Sequence, residues 1–425
     1  MKKDLPHLSG IDQTLSFLKT PYTFISEHCR ELDSDIFETR INLKKTYCMT
    51  GEEAAAFFYS DAIARKGAMP EPLMATLLGK GSVQGLDGEE HRRRKDLFLS
   101  LMNDKSLEKF NQIALRAWEK RCNQWSFGQR INLYEEAQRV HTEAVCEWFG
   151  IPLKDEDLDT RTDELTSLFD KAGAKNIEHF KARIKRIKAE KWIRELIREA
   201  RESPRTQNLM SPFFRFVFYT DHKGELLSEK VTAVEILNVL RPAVAISLYT
   251  VFVVHAIHLH KKTIHPEDKE FFIQEVRRFY PFFPATMGRI KEDIEWQGYQ
   301  LKKGVQVMLD LYGINHDPRL WEEPQEFNPD RFWDWNKSPN NFVPQGGGDH
   351  HQNHRCPGEW ITINLMKVAY DFFTEKINFE VPEQDLSLDT SRLPAKVKSD
   401  FVFKLTSLKE PWLEEVKPNS QILHQ

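Results

Sequence analysis

The chain has 425 residues, of which 40% are hydrophobic and 12% aromatic, so it can bury one large core or two ordinary ones. Its 60 Lys and Arg residues against 64 Asp and Glu residues give a formal net charge of -4, which provides no overall attraction to nucleic acid. No repeat, low-complexity tract or Gly/Ser-rich linker divides the sequence, and we therefore predict a single domain over residues 1–425.

The cysteine pattern bears on the cellular compartment. Five cysteines, an odd number, stand far apart without paired short spacings, which is typical of a reducing compartment and not of a disulfide scaffold. The N-terminal segment opens with two lysines but has no continuous apolar stretch behind them that could serve as a signal core. We therefore expect a cytoplasmic protein without a membrane anchor.

The middle of the chain is predicted to be mostly helical. From about residue 90 to residue 280, apolar residues recur at spacings of three and four, as in residues 106–125 and 176–203. Strand-like alternation is confined to short pieces, for example residues 293–301, 305–313 and 400–406. The predicted fold class is mainly α with a small β region.

The longest apolar run covers residues 234–259 and is long enough to cross a membrane. It contains Glu235, Asn238 and Arg241, and a central arginine costs about 2.5–3.5 kcal/mol on membrane-insertion scales. We therefore interpret the run as a long helix through the protein core.

Arg241 lies among apolar residues of this predicted helix, where a buried guanidinium must be paired. Glu235 lies roughly 120° around the helix from it, which is not a favourable pairing position, so we expect the partner to come from elsewhere. Pro242 removes an amide that would bond the carbonyl of Asn238, and we expect the helix to be kinked or locally opened there. The residues alone leave two interpretations open, a structural salt bridge and a bound anion.

Cys356 stands between a Gly-rich loop and a predicted amphipathic helix. Unpaired amides and the positive end of the helix dipole favour the thiolate, which is the form that binds a soft metal. A zinc site formed with His350, His351 and His354 is an alternative. We disfavour it, because three histidines and a cysteine within seven residues cannot readily surround an ion.

Three motifs follow one another in the second half of the chain. Glu275 and Arg278 form E-x-x-R, Arg331 and Phe332 end F-x-P-x-R-F, and Cys356 lies in a Gly-rich G-G-G…H-R-C-P-G-E segment. In this order the motifs resemble the cytochrome P450 superfamily over nearly the whole chain. The resemblance implies a cytochrome P450 fold and haem b with Cys356 as the proximal ligand of the iron. It also implies that Glu275, Arg278 and Arg331 form a salt-bridged scaffold behind the haem.

The sequence departs from ordinary members at Arg241 and Pro242, where oxygen-activating members usually carry an acid and an alcohol. This pair, the loop from Gly346 to Cys356 and the segment GSVQGLDGEEH resemble the bacterial fatty-acid peroxygenases and olefin-forming decarboxylases. The resemblance implies that Arg241 holds the carboxylate of a long-chain fatty acid beside the iron. That carboxylate would move a proton between the oxygens of hydrogen peroxide, giving a 2- or 3-hydroxy fatty acid or, in part, a terminal alkene.

Two further residues are assigned to the substrate side by the same resemblance. Gln84 would lie above the haem, where dedicated decarboxylases carry His and hydroxylating members often carry Gln, so we expect hydroxylation to dominate. Leu78 resembles a pocket residue. Taken alone, Gln84 is an ordinary turn residue and Leu78 is an ordinary core residue.

Basic residues are assigned to the haem propionates. His91, Arg94 and Lys95 share one side of a predicted helix, and the resemblance suggests that this side meets the propionates. Arg65 is a further candidate for the same role. A basic run of this kind is more often a solvated helix face.

Two other functions remain open. One is a conventional monooxygenase that receives electrons from a separate ferredoxin or flavoprotein, against which the missing acid and alcohol argue. The other is a sensor or carrier that binds haem and fatty acid without turnover. We expect long-chain fatty acid and hydrogen peroxide as partners, with no obligatory redox partner.

Overall fold

The computed structural model describes residues 3–171, 177–202, 211–221, 223–260 and 268–410. The α-helices are α1 (Thr14–Lys19), α2 (Phe24–Glu31), α3 (Glu52–Phe58), α4 (Glu71–Leu77), α5 (Gly88–Leu99), α6 (Asp104–Cys122), α7 (Leu133–Phe149), α8 (Leu158–Asp170), α9 (Ile177–Glu202), α10 (Pro212–Val217), α11 (Glu229–Ala245), α12 (Ser247–Leu259), α13 (Lys269–Phe279), α14 (Leu311–Asn315) and α15 (Glu359–Asp371). The predicted helical middle of the chain is confirmed.

The strands are short and lie mostly outside this helical region. They are β1 (Ile36–Ile41), β2 (Lys44–Met49), β3 (Ile63–Ala64), β4 (Arg130–Asn132), β5 (Ala285–Ile290), β6 (Ile294–Trp296), β7 (Tyr299–Leu301), β8 (Gln306–Asp310), β9 (Ile377–Glu380), β10 (Leu388–Asp389), β11 (Lys396–Val397) and β12 (Val402–Leu408). The mainly α fold class with a small β region is confirmed.

The largest sheet has the strand order β1-β2-β8-β5-β3. Strands β2 and β8 pair in parallel, with Thr46 opposite Gln306, and the other neighbours pair antiparallel. Strands β4, β12 and β9 form a second, antiparallel sheet. The predicted strand at residues 305–313 is wrong at its end, because the Asp310 carboxylate accepts a hydrogen bond from the Gly313 amide at 2.7 Å and starts α14.

The predicted core helix is confirmed as the pair α11 and α12. The span Glu229–Leu259 is long and apolar enough to cross a membrane, with a mean hydropathy of 1.7, but 94% of that apolar window is buried inside the protein. Helix α11 packs against α7, α8 and α9, and α12 packs against α7 and α15. The apolar run thus forms the centre of the helical core.

The interruption expected at Pro242 lies one turn further along. Helix α11 continues through Arg241 and Pro242 to Ala245, and α12 begins at Ser247. Between them, the amide of Ile246 donates to the carbonyls of Pro242 at 3.2 Å and Ala243 at 3.3 Å. The helix therefore opens after the proline, and Arg241 remains on a regular helical turn.

Candidate active site

Cys356 lies two residues before Gly358, which is the residue that precedes α15. Its amide donates to the carbonyl of Gln345 at 3.1 Å, and the side-chain amide of Gln345 approaches the sulfur at 3.8 Å. Burial raises the pKa of the Cys356 thiol and Glu359 raises it further, whereas the Gly358 amide and Lys95 lower it. The thiolate at Cys356 stays a prediction, because burial opposes it in the chain alone and a bound cation would supply the compensating charge.

The glycines before Cys356 let the loop pass closely over Tyr59. A Cβ atom at Gly346 would lie 2.9 Å from the Tyr59 hydroxyl, and one at Gly348 would lie 2.8 Å from the Tyr59 Cβ. Both glycines have positive φ angles, +94° and +75°. The side-chain amide of Asn353 also donates to the Tyr59 carbonyl at 2.9 Å, so the loop is fixed to the end of α3.

The predicted scaffold behind Cys356 is confirmed. The buried carboxylate of Glu275 accepts two hydrogen bonds from Arg278, both at 2.7 Å, and one from Arg331 at 3.3 Å. It also accepts the backbone amide of Asn328 at 2.9 Å. This network ties α13 to the segment that ends at Phe332.

A second charge network lies directly beside Cys356 and was not predicted. Glu359, on the first turn of α15, accepts hydrogen bonds from Arg277 at 2.5 Å and from Arg355 at 2.6 and 3.0 Å. Burial raises the pKa of Glu359, but the two guanidinium groups outweigh it and lower the value to about 2. The carboxylate is therefore charged and fixes the start of α15 against α13.

Two of the predicted cofactor-binding residues, Lys95 and His91, contact the Cys356 loop. Lys95 donates to the carbonyls of Asn353 at 2.5 Å and Arg355 at 2.9 Å. His91 stacks on His354 with ring centroids 3.7 Å apart. Burial lowers the pKa of His91 to about 3 and that of His354 to about 4, so both rings are neutral at pH 7.

Arg65 lies next to this group, in the segment between β3 and α4, and its guanidinium has one hydrogen-bond donor without a partner among the described residues. One terminal nitrogen donates to the Thr286 hydroxyl at 2.9 Å, while Nη1 is buried and has no hydrogen-bond partner among the described residues. Its backbone amide donates to Asp87 at 2.7 Å, and Arg65, Asp87, His91 and His354 line one small cavity of about 50 Å³. The free guanidinium donor suits an anionic group.

Arg94, which the resemblance assigns to the propionates, is engaged by a carboxylate of the chain, and its propionate role stays a prediction. Its guanidinium donates to the Glu235 carboxylate of α11 at 2.8 Å, and both side chains are buried. Burial raises the pKa of Glu235 to about 7, against the opposing effect of Arg94. Arg94 shares a helix face with His91 and Lys95, but its long side chain reaches α11 and is engaged there.

Arg241 is buried and lacks a charged partner. The side chain of the arginine is only 6% exposed, its Nη2 donates weakly to the Asn238 side-chain oxygen at 3.4 Å, and its Nε has no partner. Glu235 is engaged by Arg94, and no carboxylate of the described residues forms an ion pair with Arg241. Burial and nearby Arg186 lower the pKa of Arg241 to about 9, so the guanidinium is still charged at pH 7.

The loop after α4 is held to α11 and α9 by contacts that were not predicted from the sequence. The Leu78 carbonyl accepts hydrogen bonds from Asn238 at 2.9 Å and from Arg186 at 3.4 Å. Gly79, with φ +87°, is required because a Cβ there would lie 2.2 Å from the Arg186 guanidinium. Only the contact made by Asn238 could have been suspected from the sequence, because Asn238 lies three residues before Arg241 on the same helix.

Gln84 follows on the same loop, in the 3-10 turn Val83–Gly85. The Val83 amide bonds the Glu235 carboxylate, and the Gln84 side-chain oxygen is buried without a hydrogen-bond partner. The loop thus brings Leu78 and Gln84 to the part of α11 that carries Arg241. In its thiolate form, Cys356 would raise the pKa of Arg241 by its negative charge, so the two side chains are close enough to interact electrostatically.

The zinc alternative has no geometric support. Among the residues that the structure describes, no group of three His, Cys, Asp or Glu side chains is arranged to hold a metal ion. His350 contacts the Cys356 carbonyl at 3.1 Å, His351 is exposed, and His354 stacks on His91. These histidines instead stabilise the loop.

The residues present fit haem. Cys356 offers a sulfur ligand, and Arg65 and Lys95 offer positive charge to carboxylates. The Gln84 side-chain oxygen and Arg241 Nε are buried polar atoms without a hydrogen-bond partner among the described residues. Iron bound by Cys356 would also offset the burial that now favours the protonated thiol.

Comparison with known proteins identifies the class. Residues 270–399 match the family model of cytochrome P450. The tabersonine/lochnericine 19-hydroxylase of Catharanthus roseus is 32% identical over 133 residues, which is 29% of this chain and 25% of that protein. The psoralen synthase of Pastinaca sativa is 30% identical over 26% of this chain and 24% of that protein. The matched segment thus spans about a quarter of each of these relatives.

Solved structures match almost the whole chain. A variant of cytochrome P450SP alpha (CYP152B1) has a TM-score of 0.90 and 44% identity, covering 93% of this chain and 98% of that chain. Cytochrome P450EX alpha (CYP152N1) with myristic acid has a TM-score of 0.92 and 41% identity, covering 96% and 100%. A variant of cytochrome P450 OleT with arachidonic acid has a TM-score of 0.91 and 34% identity, covering 95% and 98%.

The chain belongs to the cytochrome P450 superfamily, as the fold and the loop around Cys356 indicate. Within the superfamily it belongs to the CYP152 family.

Proposed function

We propose that the protein is a hydrogen-peroxide-dependent fatty-acid peroxygenase, which hydroxylates long-chain fatty acids at the alpha or beta carbon and releases some terminal alkene by decarboxylation. The observation that carries the proposal is the unpaired guanidinium of Arg241. A buried charge left without a partner is strongly unfavourable, by about 3–5 kcal/mol where a buried pair is broken. A fatty-acid carboxylate would supply the missing charge and accept the free Nε donor.

The ligands of similar structures support the same chemistry. Myristic acid and arachidonic acid, bound by cytochrome P450EX alpha and cytochrome P450 OleT, are both carboxylic acids with long apolar chains. A cationic anchor in an apolar surrounding is suited to such molecules. Leu240, Ala243 and Val244, the buried neighbours of Arg241, provide that surrounding.

Haem b, held by Cys356 with Arg65, His91 and Lys95 near its carboxylates, would supply the oxidising chemistry. Arg241 would bind the substrate carboxylate with two parallel N–H donors, and this fixes the alpha and beta carbons as the part of the chain nearest the reacting centre. The bound carboxylate would accept a proton from hydrogen peroxide at one oxygen and return it to the other.

The loop residues would tune this arrangement. Gln84 has a free side-chain oxygen but no titratable group, so it can orient a hydroxyl or a water molecule without itself transferring a proton. Leu78 would pack against the first carbons of the acyl chain. Pro242 has no backbone N–H group, so the helix would lack one hydrogen-bond donor next to Arg241. We propose further that no redox partner is needed, that the protein acts in the cytoplasm, and that residues 1–425 form one domain.

The test is turnover of myristic acid by the purified, haem-loaded ferric protein with hydrogen peroxide as the only oxidant, with products identified by mass spectrometry. We expect hydroxy acid and some alkene from the wild type, and at least about 100-fold less from Arg241→Ala, since a transition-state contact worth about 3 kcal/mol is lost. Arg116→Ala, which removes an exposed arginine on α6, is the control and should leave turnover unchanged.

The substrate ester separates anchoring from general damage. Methyl myristate cannot present a carboxylate and should be a poor substrate of both the wild type and Arg241→Ala. Product that forms only when an electron donor and dioxygen are supplied would overturn the proposal in favour of a conventional monooxygenase.

A further inference from the structure

Helix α9 (Ile177–Glu202) exposes a row of apolar side chains on its outer surface, which packing against the protein core does not explain. Its inward side buries Ala182, Arg186, Ala189, Ile193, Ile197 and Ala200. On the outside, Ile177, Phe180, Ile184 and Ile187 are 66%, 63%, 39% and 59% exposed. Their spacing of three, four and three places them in one row along the helix, which we call the α9 stripe.

Apolar side chains in such a row are unusual on a protein surface. Single exposed apolar residues are common and need no partner, but a contiguous row of large ones marks an interaction surface. Four residues over eleven positions, or ten steps along the helix, form a strip about 15 Å long at 1.5 Å per residue. The strip is too short to hold a stable dimer together by itself, since such interfaces bury at least about 1,200 Å².

The charges beside the α9 stripe indicate the chemistry of its partner. Residues 177–188 contain four basic residues that are not buried, Lys181, Arg183, Lys185 and Lys188, against one acid, Glu178, although the whole chain has a net charge of -4. Lys181 and Lys188 are exposed and each directly follows a stripe residue, and Lys181 also donates to the Glu178 carboxylate at 2.8 Å. A second copy of the chain docked on the stripe would bring the same lysines together, which is repulsive. An acidic partner is therefore favoured.

The opposite side of the same helix contacts the proposed substrate site. Arg183 donates to the Ala75 carbonyl, and Arg186 donates to the Leu78 carbonyl at 3.4 Å. The α9 stripe is therefore separated from the loop with Leu78 by the thickness of one helix. A partner surface that carries both negative charge and apolar chains would therefore contact the protein close to the loop with Leu78.

We propose that the α9 stripe docks the protein on the surface of an anionic phospholipid membrane. Its apolar residues enter the boundary between head groups and acyl chains, and Lys181 and Lys188 bind the acidic head groups. The helix lies on the membrane and does not cross it, in agreement with the burial of Glu229–Leu259. The inference rests on the exposed residues of α9 and holds whether or not the proposed peroxygenase reaction is correct.

The experiment is co-sedimentation of the haem-loaded full chain with vesicles of phosphatidylglycerol or of phosphatidylcholine, at low and high salt. The wild type should pellet with phosphatidylglycerol vesicles at low salt and be released by high salt. Because each basic residue near an anionic surface strengthens binding about five-fold, Lys181→Glu combined with Lys188→Glu should weaken it by at least about 25-fold. Phe180→Ser, Ile184→Ser and Ile187→Ser combined should abolish it.

Matched controls change the same residue types elsewhere. Lys109→Glu on α6 and Trp333→Ser, whose side chain is 72% exposed, should bind vesicles as the wild type does. All the substitutions are at exposed positions, so the haem spectrum and the urea midpoint should stay within the wild-type range. Equal pelleting with both lipids, or binding unaffected by the stripe variants, would overturn the proposal. So would a wild-type dimer in analytical ultracentrifugation that the serine variant converts to a monomer without any lipid binding.

Discussion

Two buried arginines on core helices show how differently this protein treats the same residue type. Arg278 is fully buried and donates to both oxygens of Glu275 and to the carbonyls of Asn315, Pro324 and Glu326. Arg241 is almost as deeply buried but has one weak bond, to Asn238, and a free Nε. The region behind Cys356 therefore finds its partners within the chain, whereas Arg241 has no acidic partner among the described residues and, under the proposed function, would receive one from the substrate.

This contrast separates stability from function. A buried charge whose partners all come from the chain stabilises one arrangement, and its removal is felt in folding. A buried charge without partners is held in place by the surrounding fold and lowers stability until a ligand binds. The predictions below test whether the two arginines behave in these opposite ways.

The largest effect is expected at Arg278, whose hydrogen-bond partners all come from the chain. Arg278→Met leaves Glu275 with only the long contact to Arg331 and the Asn328 amide, and should lower the free energy of unfolding by about 3–5 kcal/mol. Urea unfolding of the haem-loaded protein, followed by circular dichroism, measures the change. A loss below about 1 kcal/mol would mean that the scaffold contributes little to stability.

His91 and His354, which stack beside the Cys356 loop, should make the stability of the protein depend on pH. The folded-state pKa values of His91 and His354, about 3 and about 4, lie below the ordinary value near 6.5, so the unfolded chain binds more protons as the pH falls below 6.5. Stability is therefore complete above pH 6.5 and decreases as the pH is lowered toward 4.

For His91 alone, the loss between pH 7 and pH 5 should be about 2 kcal/mol. The urea midpoint of the haem-free wild type and of haem-free His91→Phe, compared at both pH values, measures it, because haem carboxylates near His91 would raise its pKa. The variant should lose less stability on acidification, and an equal loss in both proteins would contradict the low pKa of His91.

A smaller effect is expected when an internal carboxylate is placed beside Arg241. Asn238→Asp would put an acid at the atom that now lies 3.4 Å from the Arg241 guanidinium, so it should compete with the substrate carboxylate. Myristic acid should bind about 10-fold more weakly, a difference of about 1.4 kcal/mol. Asn238→Ala is the control for loss of the clamp on Leu78, and the same affinity in both variants would argue against competition.

The smallest effect is the stability change at Arg241 itself. Arg241→Met removes a charge without a partner, so we expect the free energy of unfolding without fatty acid to rise, by up to about 1 kcal/mol, in contrast to Arg278→Met. The same urea titration measures both variants. A decrease of about 3 kcal/mol would show that Arg241 has a structural partner after all.

The sequence allowed prediction of the parts that depend on local pattern or on a known motif. Glu275 and Arg278 lie three residues apart on one helix, so their pairing follows from spacing, and Cys356 stands directly before an amphipathic helix. The core position of residues 234–259 followed from an apolar run interrupted by Arg241.

The remaining contacts join distant parts of the chain. Arg94 and Glu235 are 141 residues apart, Arg186 and Leu78 are 108 apart, and Arg277 and Glu359 are 82 apart. No local pattern relates such residues, and only the packing of α5, α9, α11, α13 and α15 brings them together. For this reason the pairing of Arg94 with Glu235 was not predicted.

The most direct test of the central claim is a binding cycle with two ligands and two proteins. Isothermal titration of myristic acid and methyl myristate into the haem-loaded wild type and Arg241→Ala gives four affinities. If Arg241 binds the carboxylate, the wild type should prefer the acid by at least about 30-fold, a preference worth about 2 kcal/mol, and the variant should have almost none. An equal preference for the acid in both proteins would contradict the account, because the carboxylate would then be recognised elsewhere.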